Sequence, residues 1–421
     1  MTTPDAEFSN RPVSPDETVN GLRIALINIG ILITIPILVT GSKLGLALGW
    51  ADFTTEIAIA AVILCVLGCL IAVIAAKTRL STYVIIQFPF GRQGAKLVNG
   101  VIALTLLGWF AITASFFGQA TQGAVEFIWH HAGNLTVYIL MGSILFILTA
   151  VFGFKAIDKL AMLVVPLLFA FLLYLAYLSI AEKSLNALVS ARGSGLALGH
   201  GITQLVGTFI VGVTILPDYC RFAINSRHGV LAAFLTLGIG FPAIITCAAV
   251  PAILSGEDQL VALLMAMGLG LPALLLLIFA SWTTNTGNIY SVGLVLRTIL
   301  TRVPRWPIVV AAGTLGTLIA VLGLADDILD FLLIIGIAIP PIAGIYLADY
   351  FFVRKRHYEL SVLDRQPPIA YGTFVVWLVA IAIAYSTDNG FFRLTFVPAC
   401  DAILVAFALH LVIGLWSGRT E

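Results

Sequence analysis

Twelve long apolar runs follow one another along this chain, at 24–47, 54–76, 98–126, 136–154, 158–182, 197–217, 229–254, 268–295, 307–324, 328–352, 369–386 and 396–417. Each is close to or longer than the roughly 20 residues that carry a helix across the hydrocarbon core of a bilayer. Of the 421 residues, 60% are hydrophobic and only 10% are charged, whereas soluble domains are about one quarter charged. A soluble fold of this length cannot hide so much apolar surface, but lipid solvates it. A spanning backbone must satisfy its own hydrogen bonds, and the alternation of a barrel strand is absent, so the runs are read as helices. A short polar-edged piece at 258–267 is read as lying along the membrane surface.

Lysine and arginine set the orientation. The loops after even-numbered runs hold four, two, two, three and four of them, 15 of the 22 in the chain, while the loops after odd-numbered runs hold only Lys43, Lys183, Arg192 and Arg393. Basic loops stay on the cytoplasmic side. The alternation supports an even number of spans and places both termini in the cytoplasm, with the chain expected in an inner (plasma) membrane. The first 20 residues, with Pro4, Pro12 and Pro15, form a polar tail without the apolar centre of a cleavable signal, so the first span is expected to drive insertion. A net charge of +1 gives no field for nucleic acid. The expected partners are lipid and a small solute, with no obligate protein partner in evidence.

Two spans read as interrupted. The first is NIGILITIPILVTGSKLG, with Gly30, Pro36 and Gly41; the sixth is GHGITQLVGTFIVGVTILP, with Gly201, Gly207 and Gly212 ahead of Pro217. Glycine and proline weaken a helix and free main-chain groups. Standing five spans apart, these two would open two five-helix halves of opposite topology around a midplane site. Small residues also serve plain helix packing, and composition alone leaves both readings open. The expected division is a polar tail at 1–22, repeats at 23–195 and 196–352, and the last two spans with a short C-terminus at 353–421.

Charge is scarce within the spans. Asp218, Asp349 and Asp401 fall near run ends, where water or headgroups would solvate them, with Arg221 and Arg354 in reach of the first two. A proton relay on buried carboxylates is therefore not expected, and a driving ion would be held by neutral oxygens. The eighth span supplies such oxygens in Ala280-Ser281-Trp282-Thr283-Thr284-Asn285-Thr286-Gly287-Asn288. Hydroxyls joined by carbonyls of a broken helix suit a hard cation such as Na+, although the same side chains also serve bonds between helices. Trp109 lies near the middle of the third span, and Phe209 in the Gly207-Thr208-Phe209 stretch read as the broken part of the sixth. Two rings flanking a cavity suit a flat heteroaromatic solute; core packing is the competing reading.

Other functions lack their residues. The six histidines are scattered, and neither a zinc-protease motif, a phosphate-binding loop nor a nucleophile elbow is present, so an enzyme is not expected. A channel would need a filter-like repeat. The five cysteines sit mostly in apolar runs, and Cys65 and Cys69, four apart, are read as packing residues.

In this order, several stretches resemble the nucleobase–cation symporter family 1, especially its bacterial cytosine-permease branch. They are Phe88-Pro89-Phe90-Gly91, Gly108-Trp109-Phe110, Gly207-Thr208-Phe209, Asp218-Tyr219-Cys220-Arg221-Phe222, Trp282-Thr283-Thr284-Asn285, Ala338-Ile339-Pro340-Pro341 and Ala348-Asp349-Tyr350. The resemblance covers nearly the whole chain. It implies an all-α membrane protein of twelve transmembrane helices, with a leucine-transporter-type 5+5 inverted repeat, broken helices 1 and 6, and alternating access. Helices one, two, six and seven would form a bundle against three, four, eight and nine.

The resemblance also implies roles. Na+ would be held by carbonyls of Gly30, Ile33 and Ala280 and by the hydroxyls of Thr283 and Thr284, with H+ the alternative coupling ion. The substrate ring would stack on Trp109 and against Phe209. The chain departs from the branch at three pocket positions. Thr34 replaces an aromatic, Leu106 a glutamine and Val211 a serine. That weakens the case for cytosine itself and leaves the wider set of nucleobase-like heterocycles: uracil, purines, hydantoins, allantoin and hydroxymethylpyrimidine-type precursors of thiamine. The polar groups left for such a ring are Thr34, Thr105, Thr208, Asn285 and Asn288.

Overall fold

The computed structural model describes residues 11–152, 154–193, 195, 200–257, 270–300, 302–323, 335, 337–364, 366–392, 394, 395 and 397–416. The expected surface piece at 258–267 lies outside them. The described chain is helical apart from isolated bridges such as Val19 to Ala223. Among the described residues, seven helices are long and apolar enough to cross a membrane. The longest, Ile35–Thr78, has 44 residues and is two passes in one, because Gly49 departs from helical geometry at φ 71° and ψ 174°. A Cβ there would sit 2.5 Å from the Gly193 nitrogen, so the corner requires glycine both for its φ and for its closeness to the chain. Helices Gly21–Leu32, Gly94–Trp129, Leu135–Val151, Phe154–Lys183, Ser226–Ser255, Gly270–Ile299, Arg305–Val321, Tyr371–Asp388 and Pro398–Trp416, with the helical pieces of spans six and ten, match the expected runs in order.

Each span shows lipid one stripe and its neighbours another. On the second, Ile59, Val62, Val66 and Leu70 are exposed at helical spacing, while Ala60, Leu64, Ile71 and Ala75 are buried. The most extensive packing joins the eighth span to the third, and the helix Ile35–Thr78, which carries the later part of the first span and the second span, to the seventh. The same helix also packs on the sixth span, and the third and eighth pack on the fourth and ninth, so the two four-helix groups implied by the resemblance cohere. Indole bonds fix further pairs. Trp282 Nε1 donates to Thr149 Oγ1 at 3.0 Å, and Trp377 Nε1 to the Ala338 carbonyl at 2.9 Å.

Both breaks exist, and proline makes each of them. In the first span the helix Gly21–Leu32 ends in a tight turn where Thr34 N–H donates to the Leu32 carbonyl at 2.9 Å. Ile33 sits at its centre with φ −77° and ψ 80°, the geometry of an inverse γ-turn. Pro36 has no N–H to offer Leu32 one turn back, which favours this exit. In the sixth span the helix His200–Thr214 stops at Ile215 and Leu216, and a short helix Pro217–Cys220 follows. Pro217 cannot donate to Val213, whose carbonyl takes the Leu216 N–H at 3.2 Å instead; the Asp218 N–H turns to Ile215, and the freed Thr214 carbonyl accepts from Tyr346 Oη at 3.0 Å. The expected break at Gly207-Thr208-Phe209 is therefore corrected: that stretch is continuous helix, and the interruption lies at 215–216. The glycines do other work. Gly41 lets the first span approach the Ile245 carbonyl, and Gly212 accommodates the ring of Phe209.

The aspartates are not solvated boundary residues. Asp349 is fully buried and accepts from Arg354 Nε at 2.9 Å, Tyr358 Oη at 2.8 Å and, across to the last span, His410 Nε2 at 3.1 Å. Asp401 is buried and collects Thr387 Oγ1 at 2.7 Å with the Leu394 and Thr395 amides, closing the loop between the last two spans. Asp218, also buried, accepts from the Thr82 amide at 3.0 Å, and Arg221 Nε donates to its main-chain carbonyl. Bridging to other chain segments is what lets these charges leave water. Asp349→Ala leaves Arg354, Tyr358 and His410 without their shared acceptor. We expect a loss on the order of 3–5 kcal/mol, read as a lowered melting temperature in detergent; an unchanged melting temperature would contradict the role given to this cluster.

Candidate functional site

The first break frees carbonyls at the end of helix Gly21–Leu32. Among the described residues, no main-chain N–H bonds the Gly30, Ile31 or Ile33 carbonyl. The eighth span faces them with its two adjacent threonines. Thr283 Oγ1 lies 3.1 Å from the Gly30 carbonyl and 2.9 Å from that of Ala280. Thr284 Oγ1 lies 3.3 Å from the Ile31 carbonyl, an oxygen the sequence did not single out. Both threonines are buried. The junction thus gathers neutral oxygens from two spans of the opposing helix groups, and a donor set of hydroxyls and carbonyls suits a hard monovalent cation better than a soft metal.

Beside this junction is a cavity enclosing about 580 Å³ of atom-free space, its mouth included. Seven of the eight residues expected to meet a solute line it: Thr34, Leu106, Trp109, Thr208, Phe209, Val211 and Asn288. Thr284 lines it too, so the cavity and the oxygen junction share a wall. The eighth residue, Asn285, stands behind that wall. Its Nδ2 donates to the Phe110 carbonyl at 3.0 Å, and its Oδ1 accepts from Asn288 Nδ2 at 3.2 Å, so it fixes the eighth span to the third and orients Asn288. Thr105 also points away, donating to Val101 in its own helix at 2.9 Å.

Sequence reasoning missed three lining residues with polar groups. Asn28 belongs to the first half-span, and Tyr219 and Ser291 meet on the cavity wall with their oxygens 3.4 Å apart. Asn28 and Ser291 stand out in the sequence only as lone polar residues in apolar runs. Glu56 was missed as well: it is fully buried in the second span against Gly201, where a Cβ would collide with its carboxylate.

No charged side chain lines the cavity. Its walls are three aromatic rings, aliphatic groups, amides and hydroxyls, which suits a neutral, flat, polar-edged solute. Two helix groups meeting at interrupted spans around such a cavity define a membrane transporter of the leucine-transporter fold. The chain belongs to the family of permeases for cytosine/purines, uracil, thiamine and allantoin, which it matches over residues 17–405.

Relatives and solved structures agree with that placement. The cytosine permease of Escherichia coli (strain K12) is 27% identical over 414 residues, covering 97% of this chain and 94% of that protein. The hydantoin permease of Microbacterium maritypicum is 27% identical over 392 residues, covering 84% and 78%. The fold matches that of Mhp1, a nucleobase-cation-symport-1 family transporter, in a closed conformation with bromovinylhydantoin bound. The TM-score is 0.84 at 21% identity, covering 98% of this chain and 95% of that one. A Na+-coupled sialic acid symporter in a substrate-bound outward-open state shares the fold at a TM-score of 0.68 and 12% identity, covering 99% and 92%.

Proposed function

We propose that the protein imports a nucleobase-like nitrogen heterocycle together with Na+ across the bacterial inner membrane, with both termini in the cytoplasm. The carrying observation is the meeting of Thr283 and Thr284 with the freed Gly30 and Ile31 carbonyls, on a wall shared with the cavity of Trp109 and Phe209. Na+ held by the Gly30, Ile33 and Ala280 carbonyls and the two hydroxyls would tie the first span to the eighth. That tie favours the arrangement in which the cavity opens outward, so Na+ and solute each stabilise the state the other binds. Low internal Na+ loosens it and releases the solute. Trp109 and Phe209 supply faces for stacking, and Thr34, Thr208 and Asn288 supply polar edges, with Leu106 and Val211 leaving the remaining wall apolar.

Uptake into proteoliposomes separates this from coupling to H+. With radiolabelled cytosine, uracil and hydantoin, an inward Na+ gradient alone should drive accumulation above the equilibrium level, and a proton gradient alone should not. Accumulation driven only by the proton gradient would replace Na+ by H+ as the coupling ion. Binding without accumulation under either gradient would make the protein a solute sensor.

A further inference from the structure

The orientation of three amides near the cavity is fixed by what their nitrogens can bond. A main-chain carbonyl only accepts, so the group facing it must be the NH₂ end. Asn28 Nδ2 donates to the Ile24 carbonyl at 2.9 Å. Its Oδ1 is thereby turned away from the helix, and among the described residues it receives no hydrogen bond. Asn285 Nδ2 is fixed on the Phe110 carbonyl, so Asn285 Oδ1 is an acceptor and the group reaching it from Asn288 must be Nδ2. Asn288 Oδ1 is then directed elsewhere, again with no described donor.

Asn28 and Asn288 both line the cavity. They also sit at one level. Asn28 is two to three residues before Gly30 and Ile31, and Asn288 four after Thr284; the two spans run antiparallel, so both amides lie to the same side of the oxygen junction, roughly 3 to 6 Å along the helix axes. The neighbouring hydroxyls are already spent as donors. Thr208 Oγ1 donates to Gln204 at 2.6 Å and Thr284 Oγ1 to Ile31 at 3.3 Å, both to main-chain carbonyls, which leaves lone pairs for the cavity. The donors left include the second amide hydrogens of Asn28 and Asn288 and the Thr34 hydroxyl, which is buried without a partner among the described residues.

We propose that Asn28 is a specificity-determining residue whose Oδ1, with Asn288 Oδ1 opposite, selects rings that carry two N–H donors, of which the cyclic ureides with their N–H, C=O, N–H edge are the fitting class. This rests on the reading of the cavity as the solute site. Solute N–H groups meet the two amide oxygens, and the carbonyl between them takes the Thr34 hydroxyl or the free Asn288 hydrogen. A methyl group on either ring nitrogen removes a donor and leaves an amide oxygen desolvated without compensation.

The test is binding to the purified protein at saturating Na+, by calorimetry, of uracil, 1-methyluracil and 3-methyluracil, and of hydantoin with its 1-methyl and 3-methyl derivatives. In the unmodified protein each methyl should weaken binding at least about tenfold. Asn28→Ala should weaken the parent ring about tenfold and abolish the penalty for one methyl isomer while keeping the other. Asn288→Ala should do the reverse. Asn28→Ser is the variant that protects the fold: serine can bond the carbonyl four residues back as Asn28 does, but its oxygen stays against the helix. It should reproduce the Asn28→Ala pattern. If the Asn28 variants keep both methyl penalties, or lose both, the assignment falls while the cavity reading stands. If the unmodified protein binds none of the six rings, the cavity reading falls and takes the assignment with it.

Discussion

Replacing Thr283 and Thr284 together by alanine should raise the sodium concentration needed for half-maximal uptake by roughly one to two orders of magnitude, the span of ordinary coupling free energies. The double substitution removes two of the five proposed oxygens and keeps the helix, since alanine is its most favourable residue. What remains is a set of carbonyls on two helices with nothing to bring them around an ion. Thr283 has the larger share, because its hydroxyl reaches the first span and its own helix at once, at 3.1 Å to Gly30 and 2.9 Å to Ala280. By linkage, solute affinity should fall at low sodium and recover as sodium saturates. Thr286→Ala is the control: its hydroxyl donates at 2.8 Å to the Trp282 carbonyl one turn back in the same helix, so sodium dependence should not move. An unchanged sodium requirement in the double variant would remove the ion site from this junction.

The proline-marked breaks were legible in the sequence because proline acts locally, on the carbonyl four residues back. Their positions were less so. Glycine admits a close neighbour as readily as a bend, and Gly207 and Gly212 read as a break where the helix continues to Thr214. Trp109 and Phe209 were found as aromatic groups that stand out in aliphatic runs, and Thr34, Leu106 and Val211 only through the family resemblance. Asn285 stands out equally, but only its 3.0 Å bond to the Phe110 carbonyl, 175 positions away, says that it faces a backbone and not the cavity. The aspartates failed for the same reason. Asp349 looks like a boundary residue until His410 arrives from the last span, and no local pattern announces a partner 61 residues distant. Asn28 was the signal within reach: a lone amide two residues before Gly30 in a span already singled out for its break.

Trp109→Ala should abolish measurable heterocycle binding while sodium still stabilises the protein. A flat ring stacked on an aromatic face gains about 1–3 kcal/mol, which is roughly a five- to 150-fold loss of affinity when the face is removed. The real loss should lie at the upper end, because Trp109 is one of only two aromatic side chains besides Tyr219 on the cavity wall, and alanine leaves a void that water fills. The helix that carries the indole is held from outside the cavity. Its neighbour Phe110 gives its carbonyl to Asn285 at 3.0 Å, and the Phe110 ring packs edge-on against Phe146 at 6.2 Å between centroids. The helix should therefore keep its place when the side chain is cut back. Trp109→Phe retains a face of smaller area and should retain part of the affinity. The separation of the two ligands decides the matter. Lost heterocycle binding with intact sodium stabilisation assigns the ring to Trp109, and affinity retained in Trp109→Ala rules out stacking there, since no other face of that size borders the same wall.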